Sequence, residues 1–116
     1  DDAAMGVTQV VRGRDLLSST PRQLWLYEAL ELKAPQFYHV PLLLAPNGRR
    51  LAKRDADLDM GALRRRYSPP ELLGLLARMA GQQETAEPVS PSELARRFDW
   101  DRVPRADIMV AAELFR

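Results

Sequence analysis

The sequence predicts an α/β domain followed by a small helical region, and three observations predict it. "GVTQVVRG" (6 to 13) alternates apolar and polar residues and is rich in β-branched side chains. "STPRQLWLYEALEL" opens with a Thr-Pro helix start and carries apolar residues at helical spacing. "FYHVPLLL" (37 to 44) is a second short apolar run. Strand, helix and strand in that order make a βαβ unit, hence part of a parallel sheet.

Each element has a local reason. The first strand ends at Gly13, with Arg12 at its C-terminal end. Thr20 is a natural N-cap and Pro21 fills the first helical position, where a missing N–H costs nothing. Leu24, Tyr27 and Leu30, with Trp25 and Ala29 beside them, form a face expected to lie in the core, and Pro35 ends the helix. Pro41 makes the second run an edge strand or a strand broken at that point. A Pro46-Asn47-Gly48 turn then leads into "RRLAKRD".

Beyond Asp55 the pattern turns helical. "DMGALRRRY" fits a short helix capped by Asp59. "SPPELLGLLARMAG" fits a longer one, with Ser68 as N-cap, Glu71 completing a capping box and Gly81 as the stop. "SPSELARRF" repeats the Ser-Pro-x-Glu start at Ser90, and 82 to 89 reads as a polar connector. The tail from Asp99 is ambiguous, with a helix start near Pro104 and an extended Ile108 to Val110 equally compatible. The two halves are a β/α piece, 1–54, and a helical piece, 55–116.

At 116 residues the chain can bury one modest core. Its 17 Lys+Arg against 16 Asp+Glu exclude a wholly basic nucleic-acid coat. The cations are instead concentrated: residues 49 to 66 hold seven against three acids. With no Cys there is no disulfide framework or thiolate metal site. No run approaches the roughly 20 apolar residues of a membrane span and no leader opens the chain, so a cytoplasmic protein is expected. The chain starts at Asp1, which suggests an excised segment.

The six glycines never fall in GxGxxG or GxxxxGK[ST] order, so a dinucleotide fingerprint and a P-loop are both excluded. Cations on a short loop can instead meet a triphosphate and stabilise the charge growing on departing pyrophosphate; an ordinary solvated basic loop has the same spacing. Arg12 is placed to grip a ligand carboxylate beyond the strand ends, or to pair structurally with Asp15. His39, the single His, lacks a second metal ligand at suitable spacing and reads as a packing or hydrogen-bonding residue. Trp25 and Tyr27 read as core. Arg64, Arg65 and Arg66 fit an RNA backbone or a solvated helix face.

In order, "VVRGRDLLSSTPRQ", "HVPLLL" and "RRLAKR" resemble the second half of the catalytic domain of the class I glutamyl-tRNA synthetases. The resemblance covers residues 1 to about 81 and implies the C-terminal half of a Rossmann-type domain followed by a stem-contact-like helical region. It assigns Arg12 to the substrate glutamate and Pro41, Leu42 and Leu43 to the adenine side of ATP. Arg50, Lys53 and Arg54 fall in a KMSKS-type loop facing the ATP phosphates, with Lys53 in the catalytic position. Ala52 replaces the usual Ser of that loop, and Arg50 replaces its first Lys, which keeps charge but not geometry.

The short segment after the loop and "FDWDRVPR" are most similar to the glutamyl-Q tRNA(Asp) synthetase branch, with standard glutamyl-tRNA synthetase as the alternative. That branch activates glutamate with ATP, Mg2+ accompanying the nucleotide, and attaches it to queuosine of tRNA(Asp). The family's His-Ile-Gly-His motif, and zinc where it occurs, belong upstream of Asp1. The isolated chain is therefore expected to be inactive, and an exposed sheet edge is expected to favour self-association. A non-catalytic tRNA-binding module would use the same cations without needing ATP.

Overall fold

The computed structural model describes residues 1–51 and 60–111. The chain divides into two compact units, Asp1–Leu42 and Leu43–Arg116. The expected boundary at residue 54 and the expected Asp59 cap lie outside the described residues.

In the first unit, strand β1 (Gln9–Gly13) pairs in parallel with β2 (Gln36–Val40). A 3-10 turn (Arg14–Ser19) runs directly into helix α1 (Thr20–Ala29). This is the expected βαβ unit, and Pro41 does break the second apolar run. β1 begins three residues later than the alternation suggests, because Gly6 at φ +68 sits in a turn whose N–H donates to the Ala3 carbonyl.

Two expectations fail here. Thr20 is not the N-cap: the preceding turn is already helical, so Ser19 takes that position in αR conformation and the Thr20 hydroxyl is left for other partners. The apolar face of α1 is not buried either. Trp25 and Leu30 are each 64% exposed, and Leu24 and Leu26 are also exposed. One helix over two strands has too little surface to cover that face. In this unit only Pro35 is buried among the described residues.

The second unit holds the core, formed by Ala45, Leu63, Leu75, Ala77, Val89 and Val110. Strand β3 (Leu43–Leu44) pairs in parallel with β4 (Ile108–Met109), and the Val110 N–H donates to the Leu44 carbonyl at 2.8 Å. The ambiguous tail is thus extended at Ile108 and Met109, after a 3-10 turn at Trp100–Arg102, so this unit is not purely helical. No helix among the described residues is long and apolar enough to cross a membrane.

Its helices are α2 (Met60–Arg66), α3 (Pro69–Met79) and α4 (Pro91–Arg97). The α3 start is as expected: the Ser68 N–H and hydroxyl both donate to the Glu71 carboxylate, at 2.7 and 2.6 Å. These bonds, the hydroxyl's first, hold the Glu71 carboxyl below its ordinary 4.5. At α4 the Ser90 hydroxyl accepts from the Glu93 N–H at 3.2 Å. Ser90→Ala is expected to cost about 1 kcal/mol, read as a lower urea midpoint with an unchanged slope.

The segment 82 to 89 is more than a polar connector. The Gln83 amide donates to the Gly74 and Glu87 carbonyls at 3.0 and 2.8 Å, and Gln82 and Val89 are buried. Gly74 makes this approach possible, since a Cβ there would stand 2.0 Å from the Glu87 carbonyl oxygen.

Candidate functional site

The parallel register places Arg12 opposite His39 and Val10 opposite Phe37. Side chains alternate along a strand, so Arg12, Phe37 and His39 share one face of the two-stranded sheet. The turn after Gly13 brings the start of α1 over that face. Thr20 and Gln23, one helical turn apart, thereby reach the same guanidinium.

Arg12 is held from several sides. Its Nε donates to His39 Nε2 at 3.1 Å, Nη1 to Gln23 Oε1 at 2.6 Å, and Nη2 to Thr20 Oγ1 at 2.7 Å and the Leu16 carbonyl at 3.4 Å. Its Cζ lies 4.5 Å from the centre of the Phe37 ring, a favourable place for a cation. Among the described residues every one of these partners is neutral. The alternative pairing with Asp15 is not what the side chain adopts. A half-buried guanidinium fixed by neutral acceptors keeps its charge available to an incoming anion.

His39 fulfils its reading as a hydrogen-bonding histidine, with Nε2 also 3.2 Å from Thr20 Oγ1. An Arg N–H pointing at Nε2 requires a lone pair there, which assigns the proton to Nδ1. Loss of solvent, and secondarily the Arg12 charge, lower its pKa from the ordinary 6.5. The charged groups carried by the elements around it are Arg12 on β1, Arg14 and Asp15 on the 3-10 turn, and Arg22 and Glu28 on α1.

A histidine held neutral contributes stability that is complete above 6.5. As the pH falls through the lowered folded value, the unfolded chain binds the proton more readily and that contribution is lost. The urea midpoint is therefore expected to drop on acidification below 6.5, and His39→Gln is expected to flatten that part of the profile.

The other candidates fall elsewhere. Pro41 and Leu42 follow β2 at the end of the first unit, whereas Leu43 and Arg50 belong to the second. There the Pro-Asn-Gly turn forms as expected. Gly48 adopts φ +80, its N–H donates to the Ala45 carbonyl at 2.8 Å, and Asn47 Oδ1 accepts from the Arg49 N–H at 3.1 Å. Arg50 bridges back to Leu44 in antiparallel fashion, so the cationic segment leaves from a defined hairpin. Lys53 and Arg54 lie outside the described residues, as does Ala52.

Sequence reasoning missed Gln23, Thr20 and Phe37 as partners of Arg12. Thr20 and Gln23 had a signal in their three-residue spacing on one helix face, and Phe37 in its two-residue spacing from His39.

A family model described as "tRNA synthetases class I (E and Q), catalytic domain" matches residues 1–114. The chain belongs to this family. Among its relatives, the glutamyl-Q tRNA(Asp) synthetase of Symbiobacterium thermophilum is 49% identical over 114 residues, covering 97% of this chain and 35% of the relative. Glutamate–tRNA ligase 1 of Wolinella succinogenes is 45% identical over 100 residues, covering 85% of this chain and 22% of the relative. A crystal structure of a glutamate tRNA ligase from Elizabethkingia meningosepticum, solved with its amino acid, superposes with a TM-score of 0.76 at 31% identity, covering 97% of this chain and 26% of that one. The chain thus spans about a third of the length of the glutamyl-Q relatives it matches, 35% and 36% for two of them.

Proposed function

We propose that this chain supplies part of the glutamate and ATP site of a glutamate-activating enzyme that transfers glutamate to tRNA, of the glutamyl-Q type. The observation that carries the reading is Arg12, a guanidinium anchored by neutral acceptors at the C-terminal end of a parallel strand, where ligands bind in α/β sheets. In this reading Arg12 grips a carboxylate of glutamate. Pro41, Leu42 and Leu43 frame the adenine, and Arg50, Lys53 and Arg54 face the phosphates.

A glutamate carboxylate oxygen attacks the α-phosphorus of ATP, pyrophosphate leaves, and glutamyl-adenylate forms. Cations that strengthen their hold as charge moves onto pyrophosphate stabilise the transition state more than the ground state. Mg2+ arrives with the nucleotide as part of the substrate. The 49 to 66 cations and the helices of the second unit contact the acceptor tRNA, for the glutamyl-Q type tRNA(Asp) at its queuosine. Relatives of that name covering 97% and 98% of this chain support the choice. With its single His, the chain cannot supply a His-Ile-Gly-His motif, so we expect the 116 residues alone to be inactive. Self-association would use the outer edges of the two-stranded sheet.

The test is glutamate-dependent ATP–pyrophosphate exchange without tRNA, on these residues alone and on a chain carrying the upstream part of the relatives' catalytic domain. Exchange only in the longer chain supports the reading; none in either overturns it in favour of a tRNA-dependent standard enzyme or a non-catalytic module. Lys53→Ala in the longer chain is expected to lower exchange by about 10²-fold or more, while tRNA affinity, measured by filter binding, falls only slightly.

A further inference from the structure

We infer that His39 is a positioning residue for glutamate binding: its Nε2 pins the Nε of Arg12, so that both Nη groups can turn to a carboxylate without the guanidinium swinging away. The inference rests on the reading of Arg12 given above and extends it to a residue that the family motifs leave without a role.

A guanidinium has five N–H donors, one on Nε and two on each Nη. Nη1 is held by Gln23, and Nη2 by Thr20 and Leu16. A carboxylate bound end-on by both Nη groups must displace or share those bonds, whereas the Nε bond to His39 points away from that end and can persist. Phe37 supports the flat face of the same group, with its ring centroid 4.5 Å from Cζ and 6.5 Å from that of the His39 imidazole, the two rings 21° apart. Nε and one face are therefore fixed from β2, and the exchangeable contacts come from the turn and α1. Fixing a side chain before the ligand arrives lowers the ordering cost of binding.

Pinning needs an acceptor at the place of Nε2. A glutamine side chain carries its amide about as far as Nε2, whereas an asparagine reaches only as far as Nδ1. In the longer chain that supports exchange, His39→Asn and His39→Leu are expected to raise the glutamate KM about tenfold, roughly one hydrogen bond to a charged group. The ATP KM and kcat should stay within about threefold, and His39→Gln should restore the glutamate KM to within about threefold of the parent.

Arg12→Ala separates this inference from the reading beneath it. If Arg12→Ala leaves the glutamate KM unchanged, or the unsubstituted longer chain shows no exchange, the glutamate reading fails and this inference with it. If Arg12→Ala raises the KM while His39→Asn and His39→Gln behave alike, the pinning role alone is overturned. A purely structural histidine would lower thermal stability in both variants without splitting the glutamate KM from the ATP KM.

Discussion

Arg12→Ala in the longer, exchange-competent chain is expected to lower kcat/KM for glutamate by about 10²- to 10⁴-fold and to leave the KM for ATP nearly unchanged. Two hydrogen bonds to a charged group contribute about 1.5–3 kcal/mol each, and every 1.4 kcal/mol is a factor of ten. Arg12→Lys is expected to fall between the two proteins. The ammonium keeps the charge but loses the planar fork, and it cannot hold His39, Gln23 and Thr20 together. Removing Arg12 also orphans those partners, so glutamate and ATP kinetics are to be compared at a temperature where both proteins remain folded. An unchanged glutamate kcat/KM in Arg12→Ala would assign the guanidinium to architecture alone.

The position of Arg12 is readable in the sequence because it depends on local signals. A β-branched run ending in Gly, a Thr-Pro helix start and a second apolar run dictate strand, helix and strand, and a parallel pair then follows. The loop turn is equally readable, since Asn-Gly supplies the positive φ found at Gly48. What holds Arg12 is less readable. His39 sits 27 residues away in sequence, and only the strand register brings it opposite. Thr20 departs from its expected role for a related reason: capping chemistry assumes an extended residue before the helix, and here a 3-10 turn removes it.

The apolar face of α1 marks a different limit. Its spacing correctly gives the helix but states only that the face is suited to burial, and Trp25, Leu24 and Leu30 remain exposed over two strands. In the second unit the reverse holds. Gln82 and Gln83 are polar letters in a polar stretch, and nothing in their immediate neighbourhood says that they are structural. Their role comes from backbone groups brought close by chain folding, which no periodicity records.

Gln82→Leu is expected to be among the most destabilising single changes in the second unit, by about 2–4 kcal/mol, measured as a fall in the urea midpoint. Gln82 is only 2% exposed, and its amide completes three hydrogen bonds there. Nε2 donates to the carbonyls of Ala80 and Asp99, each at 3.0 Å, and Oε1 accepts from the Asp99 N–H at 2.8 Å. The side chain thus replaces a partner strand for one residue, tying the Asp99 backbone to the end of α3. Gly81 permits this, because its φ of +71 turns the chain and a Cβ there would lie 2.1 Å from the Arg102 carbonyl oxygen. Leucine fits roughly the same space but offers no polar atoms, so two carbonyls and one N–H lose their partner in a site closed to water. Gln82→Glu tests the donor half separately. It keeps an acceptor for the Asp99 N–H but faces two carbonyls with a carboxylate, so its loss should shrink as the pH is lowered and the acid becomes a donor. A midpoint unchanged in Gln82→Leu would mean that the segment from Asp99 to Arg102 is held by its other contacts, the Arg102 to Glu84 ion pair at 3.6 Å among them, and not by the buried amide.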